Sequence, residues 1–321
     1  MQKTVIYLKD SKNEQNVVNR YPILLSQLSV VDSYIKDSLD PSFDIAIFND
    51  DNFIDFTVDE ILKCPNKCKG MILHGYAGGD DNIAHLEKIY TDVIKSLDFV
   101  ILVSPGYLRM LKKYKINIPY VIIPYPITSD IKSDIPWKDR KNAFIYYGRI
   151  LPEKFDLTVY KKLVKNGIYF DLFGPICQEY WKDKELSSPE YQKFKAELFE
   201  FMKSPLVNYK GTFSLSEVAS NIGKYKYYIS TSNNEAFCRA LQEAMACGVI
   251  PFQKWGDAFL WSEETLQRFH TNEELIHGVL SIERNKEKFE YYSKGLSTFT
   301  HTFFNPFVLR KRWIKFIKKY L

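Results

Sequence analysis

The sequence predicts an α/β protein built from two doubly wound parallel-sheet units, on three observations. Short apolar runs alternate with helical patterns through the first 127 residues, the same alternation resumes at Ala143, and a charged segment separates the two series. In the first series, Thr4 to Leu8, Phe43 to Phe48, Gly70 to Leu73, Phe99 to Val103 and Tyr120 to Pro124 are the expected strands. Helical patterns at Ile83 to Leu97 and Pro105 to Tyr114 fall between them, as parallel pairing requires of its crossovers. Residues 128–141 hold Asp130, Lys132, Asp134, Pro136 and four further charges, and are the expected linker. The second series runs from 142 to about 300, and residues 301–321 form a basic closing helix expected to cross back to the N-terminal domain. Inside the second series, Cys177 to Lys203 is an insertion rich in aromatic and charged residues that suits surface helices. No internal repeat or low-complexity tract is present.

Composition narrows the class. With 45% hydrophobic and 26% charged residues, the 321-residue chain is that of a folded globular protein. Its five cysteines are odd in number and lack a disulfide framework, which points to free thiols in a reducing cytoplasm. Cys64 and Cys68 have no second pair or nearby histidine and are read as two thiols. Charges from Lys3 onward argue against a signal peptide, and no run of about 18 apolar residues spans a membrane. Charge is uneven: residues 302–321 carry six Lys or Arg and no acid, so the other residues sum to −1 of the overall +5. Leu309, Trp313, Phe316, Ile317 and Tyr320 recur there at helical spacing, giving a basic amphipathic helix. Packing of that helix on the body, contact with nucleic-acid phosphates and contact with an anionic membrane are all open readings.

Chemistry concentrates at Ser232 to Gly248. Tyr225 to Ser230 reads as a strand, Thr231 to Asn234 as a polar turn, and the residues beyond as a helix stopped by Gly248. Ala240, Leu241, Ala244 and Met245 form its expected apolar face. Glu235 is expected at the helix N-terminus and Glu243 two turns on, about 12 Å apart at helical rise. A helix N-terminus attracts an anion, and carboxylates accept hydrogen bonds from hydroxyls. A nucleotide-diphosphate sugar combines both groups.

Glu235 and Glu243, with the ending Glu243-Ala244-Met245-Ala246-Cys247-Gly248-Val249, resemble the E-x7-E signature of the retaining glycosyltransferases of family 4. Tyr146 to Lys154 resembles that family's strand followed by G-R-x-x-x-x-K, Tyr169 to Gly174 its next strand, and Asn208 to Glu217 its G-x-h-x-x-x-E turn. The four elements span about residues 142–255. The resemblance implies the GT-B fold, two Rossmann-like domains facing across a cleft. It also implies transfer of a sugar from a nucleotide-diphosphate donor, UDP-linked in first expectation, with retention. It implies no tightly bound cofactor and no metal. Arg149 and Lys154 would hold the diphosphate; Arg offers a fork of donors and Lys a compact charge. Glu243 would accept from the ribose hydroxyls and Glu235 would contact the donor sugar. The backbone of Ala236, Phe237 and Cys238 would face sugar and phosphate. Gly148, Gly174 and the turn Lys210, Gly211, Thr212 and Phe213 would wall the donor and base pocket. His74, opening a glycine-rich loop after a strand, resembles a histidine at the first domain's cleft edge. Two departures stand out. Arg239 replaces an apolar residue, and could contact phosphate or acceptor or pair with Glu235. The segment Tyr7 to Glu14 also lacks the glycine-rich loop expected after the first strand.

For the acceptor, Ala246 to Leu260 is similar to tailed-phage enzymes that glucosylate hydroxymethylcytosine in DNA. The first expectation is therefore transfer to hydroxymethylated bases, with the basic tail tracking duplex DNA. The alternatives are a bacterial surface-glycan transferase whose tail rests on anionic lipid, and a sugar-nucleotide binding module without turnover.

Overall fold

A computed structural model describes residues 4–7, 33–34, 39–49, 58–73, 92–176, 188–232, 237–254 and 267–320. The chain divides into two compact units, one of Met1–Pro126 with Phe304–Leu321, the other of Ile127–Gly256 with Trp261–Phe303.

In the first unit the strands are β1 (Thr4–Tyr7), β2 (Ser33–Tyr34), β3 (Ile45–Asn49), β4 (Cys68–Leu73), β5 (Phe99–Leu102) and β6 (Tyr120–Ile122). They form one wholly parallel sheet in the order β2-β1-β3-β4-β5-β6. Ile45–Phe48, Met71–Leu73 and Phe99–Leu102 are buried without alternation, as a sheet covered on both faces requires. The short helices α1 (Val58–Leu62) and α2 (Tyr107–Lys113) belong to this unit. Of the helix expected at Ile83 to Leu97, only the end from residue 92 lies within the described residues. Phe99 shows how the unit closes. Gly70 leaves room for its ring, since a Cβ there would lie 2.2 Å from it. The ring packs against Trp313 (6.0 Å) and Phe316 (5.6 Å) of the last helix.

The second unit contains β7 (Lys141–Tyr147), α3 (Leu157–Lys165), β8 (Phe170–Phe173), α4 (Pro189–Phe201), β9 (Val207–Tyr209), α5 (Val218–Ile222) and β10 (Tyr225–Ser230). It continues through α6 (Arg239–Ala246), β11 (Ile250–Lys254), β12 (Gln267–Phe269), α7 (Asn272–Leu280) and α8 (Lys286–Phe303); α9 (Pro306–Tyr320) returns to the first unit. Its sheet is parallel throughout, in the order β12-β11-β10-β7-β8-β9. Counted within the unit this is 6-5-4-1-2-3, so the winding reverses between β7 and β10. Ligands of such sheets bind outside the carboxyl ends of the strands at that reversal. The segment expected as the linker packs against this unit. Trp137 meets Tyr227 edge-on at 5.7 Å, Ser133 Oγ donates to Gly223 O, and Ile131 and Arg140 are buried.

Aromatic residues fill the core: Phe144 stacks on Tyr227 at 5.1 Å, and Phe155 on Tyr160 at 3.8 Å. One carboxylate lies among them. Asp171, central in β8, accepts at a single oxygen from the Tyr225 hydroxyl (2.5 Å) and Lys141 Nζ (3.3 Å). Burial first, and then that carboxylate, push the Tyr225 phenol above its usual pKa.

Candidate functional site

Three adjacent strands of the second sheet end in glycines at positive φ. Gly148 follows β7 at +153°, Gly174 follows β8 at +137°, and Gly211 follows β9 at +75°. The first two pass so closely that a Cβ on Gly174 would lie 1.7 Å from Gly148 O, a position only glycine fills. Gly148 N donates to Phe173 O (3.0 Å) and Gly174 N to Gly211 O (2.8 Å), tying the three ends into one rim. Phe213, in the turn with Lys210 and Thr212, stacks on Tyr147 at 4.7 Å and meets Phe173 edge-on at 5.0 Å. The Glu217 carboxylate closes the turn by accepting from Ser214 N (2.9 Å) and Ser214 Oγ (2.6 Å), and those bonds hold its pKa below the ordinary value.

Arg149 and Lys154 sit on the loop leaving β7, at the winding reversal. The Tyr146 hydroxyl donates to Arg149 O (2.6 Å). From the neighbouring strand end, the buried Thr231 hydroxyl accepts from Asp156 N (2.8 Å) and donates to Lys154 O (3.3 Å). Sequence reasoning does not single out Thr231, whose one signal is its place after an apolar strand. Thr231→Val keeps the shape but leaves Asp156 N unpaired, a cost of about 1–3 kcal/mol. Thermal denaturation should show that loss, and Thr231→Ser should restore most of it. A valine variant as stable as the parent would remove Thr231 as the loop's anchor.

Asp156 also caps α3, accepting from Thr158 N (3.1 Å), Thr158 Oγ1 (2.5 Å) and Asn272 Nδ2 (2.8 Å). Burial pulls its pKa upward, but those bonds prevail and hold it below the usual carboxylate value. A depressed carboxyl stabilises the fold fully above its unfolded pKa, about 3.9, and loses that contribution as pH falls through the folded value. Melting curves of Asp156→Asn and parent should therefore differ by a constant gap near neutrality that closes below about pH 4. A gap unchanged into acid would contradict the charge-based account.

Across the reversal, β10 leads to α6. Phe237 and Cys238 precede the helix and are buried, as is everything from Leu241 to Ala246, so α6 has no solvated face beyond its first turn. This corrects the one-sided helix expected from the sequence. Its end matches expectation: Gly248 at φ +69°, with Val249 N donating to Ala244 O and Gly248 N to Met245 O, forms a left-handed stop. From α8, Ser293 Oγ donates to Gly248 O, while Ser297 Oγ and His301 Nε2 reach Ala246 O, fixing the helix from below. Glu243 lies buried in α6 with Oε1 3.2 Å from Arg239 Nη2 one turn earlier. Glu243 is thus one partner of Arg239 among the described residues. The described helix begins at Arg239, with Cys238 extended as its N-cap. Glu235, Ala236 and His74 lie outside the described residues, as do the loop after β1 and residues 255–260.

Among the described residues no three His, Cys, Asp or Glu side chains cluster as metal ligands. Cys64 and Cys68 are thiols, and burial, followed by Asp98, pushes the Cys68 pKa up to about 12. No helix among these residues is long and apolar enough to cross a membrane.

A parallel α/β unit with glycine-lined strand ends and two cations at the winding reversal belongs to the nucleotide-binding class. Residues 128–252 match the family described as Glycosyl transferases group 1. Structural likeness extends over both units and gives the GT-B fold. Sucrose-phosphate synthase from Thermosynechococcus elongatus aligns with TM-score 0.74 and 12% identity over 99% of each chain. Anabaena Alr3699/HepE in complex with UDP and glucose aligns with TM-score 0.74 and 11% identity, over 99% of this chain and 100% of that one. A mutant of S. aureus TarM in complex with Fondaparinux, alpha-GlcNAc-glycerol and UDP aligns with TM-score 0.64 and 16% identity over 93% of this chain. The chain spans 59% of the TarM chain's length. No curated protein sequence matches the chain.

Proposed function

We propose that the protein is a retaining glycosyltransferase that moves a sugar from a UDP-sugar to a hydroxyl of a bacterial surface glycan. The carrying observation is the clamped Gly148–Asp156 loop, with Arg149 and Lys154 at the winding reversal, inside the segment that matches the group 1 transferases. UDP stands in the TarM and HepE structures, and UDP with GlcNAc in the pneumococcal O-GlcNAc transferase GtfA, which supports a UDP donor. These neighbours favour a bacterial glycan or glycoprotein acceptor over the DNA acceptor first expected from Ala246 to Leu260.

In this reading, the bond from the anomeric carbon to the diphosphate oxygen breaks as the acceptor oxygen bonds to that carbon on the same face. The acceptor proton passes to the departing phosphate. Arg149 and Lys154 stabilise the charge gathering there, and because the loop that carries them is anchored beforehand they favour the transition state over the ground state. Glu243 accepts from the ribose hydroxyls through the oxygen facing away from Arg239. The Gly148–Gly174–Gly211 rim and Phe213 receive the base. Glu235 and His74 are assigned to the donor sugar and the acceptor side.

The test is release of UDP or GDP from UDP-glucose, UDP-GlcNAc and GDP-mannose. It is followed by transfer to glycerol-linked sugars, lipid-linked glycans and hydroxymethylated duplex DNA, with the product anomer read by NMR. Transfer from a UDP-sugar to a glycan with retention is expected. Preferential labelling of the hydroxymethylated duplex would return the acceptor to DNA, and no turnover on any pair would leave a binding module.

A further inference from the structure

We propose that the outward face of α9 docks on a bilayer containing anionic phospholipid. This goes beyond the sugar-transfer reading and does not depend on it. Leu309, Trp313 and Phe316 are buried and hold the helix to the first unit, Trp313 and Phe316 against Phe99. The opposite side carries Phe307, Lys311, Ile314 and Lys318, at spacings of four, three and four residues, with Lys315 beside them; all five are exposed. Helical geometry puts the first four in one stripe.

Phe307 is 68% exposed and Ile314 36%, so the stripe pairs water-facing apolar groups with flexible cations. Lys311, Lys315 and Lys318 make no ion pair among the described residues, and residues 302–321 hold six basic residues and no acid. That charge is complementary to a negative lipid surface and attracts it within a Debye length. The apolar pair selects among anionic partners. A phosphate-tracking surface gains nothing from an exposed isoleucine, whereas a headgroup boundary accepts both Phe307 and Ile314 and leaves the lysines at phosphate level.

The experiment is co-sedimentation of the full chain with vesicles of phosphatidylcholine alone or mixed with phosphatidylglycerol, beside retention of duplex DNA at the same salt. Pelleting is expected only with phosphatidylglycerol. The triple variant Lys311→Gln, Lys315→Gln, Lys318→Gln should weaken it about a hundredfold, from the attraction of each lysine. Phe307→Ser with Ile314→Ser should weaken it about tenfold by removing apolar burial. All these positions are exposed, so melting temperatures should match the parent, and the effect reads on binding alone. The proposal is overturned if the chain does not distinguish the two vesicle types, if the serine variant binds like the parent, or if duplex DNA displaces the vesicles. Donor turnover, measured separately, tells this failure from failure of the transferase reading.

Discussion

Arg149→Ala should lower kcat by about a hundred- to a thousandfold, the loss expected when one preset donor to a developing anion is removed. The structure separates this effect from a folding defect. The Arg149 side chain is only partly buried and has no hydrogen-bond or ion-pair partner among the described residues; the loop is held through its carbonyl by Tyr146. Truncation therefore breaks no hydrogen bond or ion pair described for this side chain, and stability should stay within about 0.5 kcal/mol of the parent. Donor KM should move less than kcat, because charge on the leaving phosphate grows as the glycosidic bond breaks. Arg149→Lys keeps the charge without the planar fork and should fall between the two. Steady-state kinetics with the donor that is turned over, beside thermal melts, decide it. Parental kcat in the alanine variant would take Arg149 out of the chemistry.

The strands are legible in the sequence because a parallel sheet buried on both faces writes itself as unbroken apolar runs, such as Phe99 to Val103. Their spatial order is not. Nothing local to β7, which opens at Lys141, or to β10, which opens at Tyr225, says that these two strands pair. That order is set by the handedness of the crossovers and by which apolar faces α6 and α8 cover, properties of the whole unit. The site divides the same way. The glycines and the two cations can be read because each answers a local demand, a turn or a charge. Thr231 cannot, since its hydroxyl acts on a loop 75 residues earlier in the chain. Gln242 and Glu243 have the residue types of a solvated face, and only the packing of α8 beneath α6 shows that they are buried.

Glu243→Ala should produce two losses that a second substitution pulls apart. The Glu243 and Arg239 side chains are 4% and 11% exposed, with the pair at 3.2 Å, so the substitution takes this carboxylate away from a buried guanidinium. Breaking such a pair from one side costs about 3–5 kcal/mol, whereas replacing both partners with apolar groups costs far less. Arg239→Met with Glu243→Ala should thus recover most of the stability, read by chemical denaturation. Donor binding should not recover with it. If Glu243 accepts from the ribose hydroxyls, its removal forfeits hydrogen bonds to a charged group, each about 1.5–3 kcal/mol. Donor KM should then rise about tenfold or more, and about equally in both variants. Parental KM in the double variant would make the pair a structural device of α6 and move the ribose contact elsewhere. A raised KM in a double variant of parental stability would tie the carboxylate to the donor, because its structural role would already have been replaced.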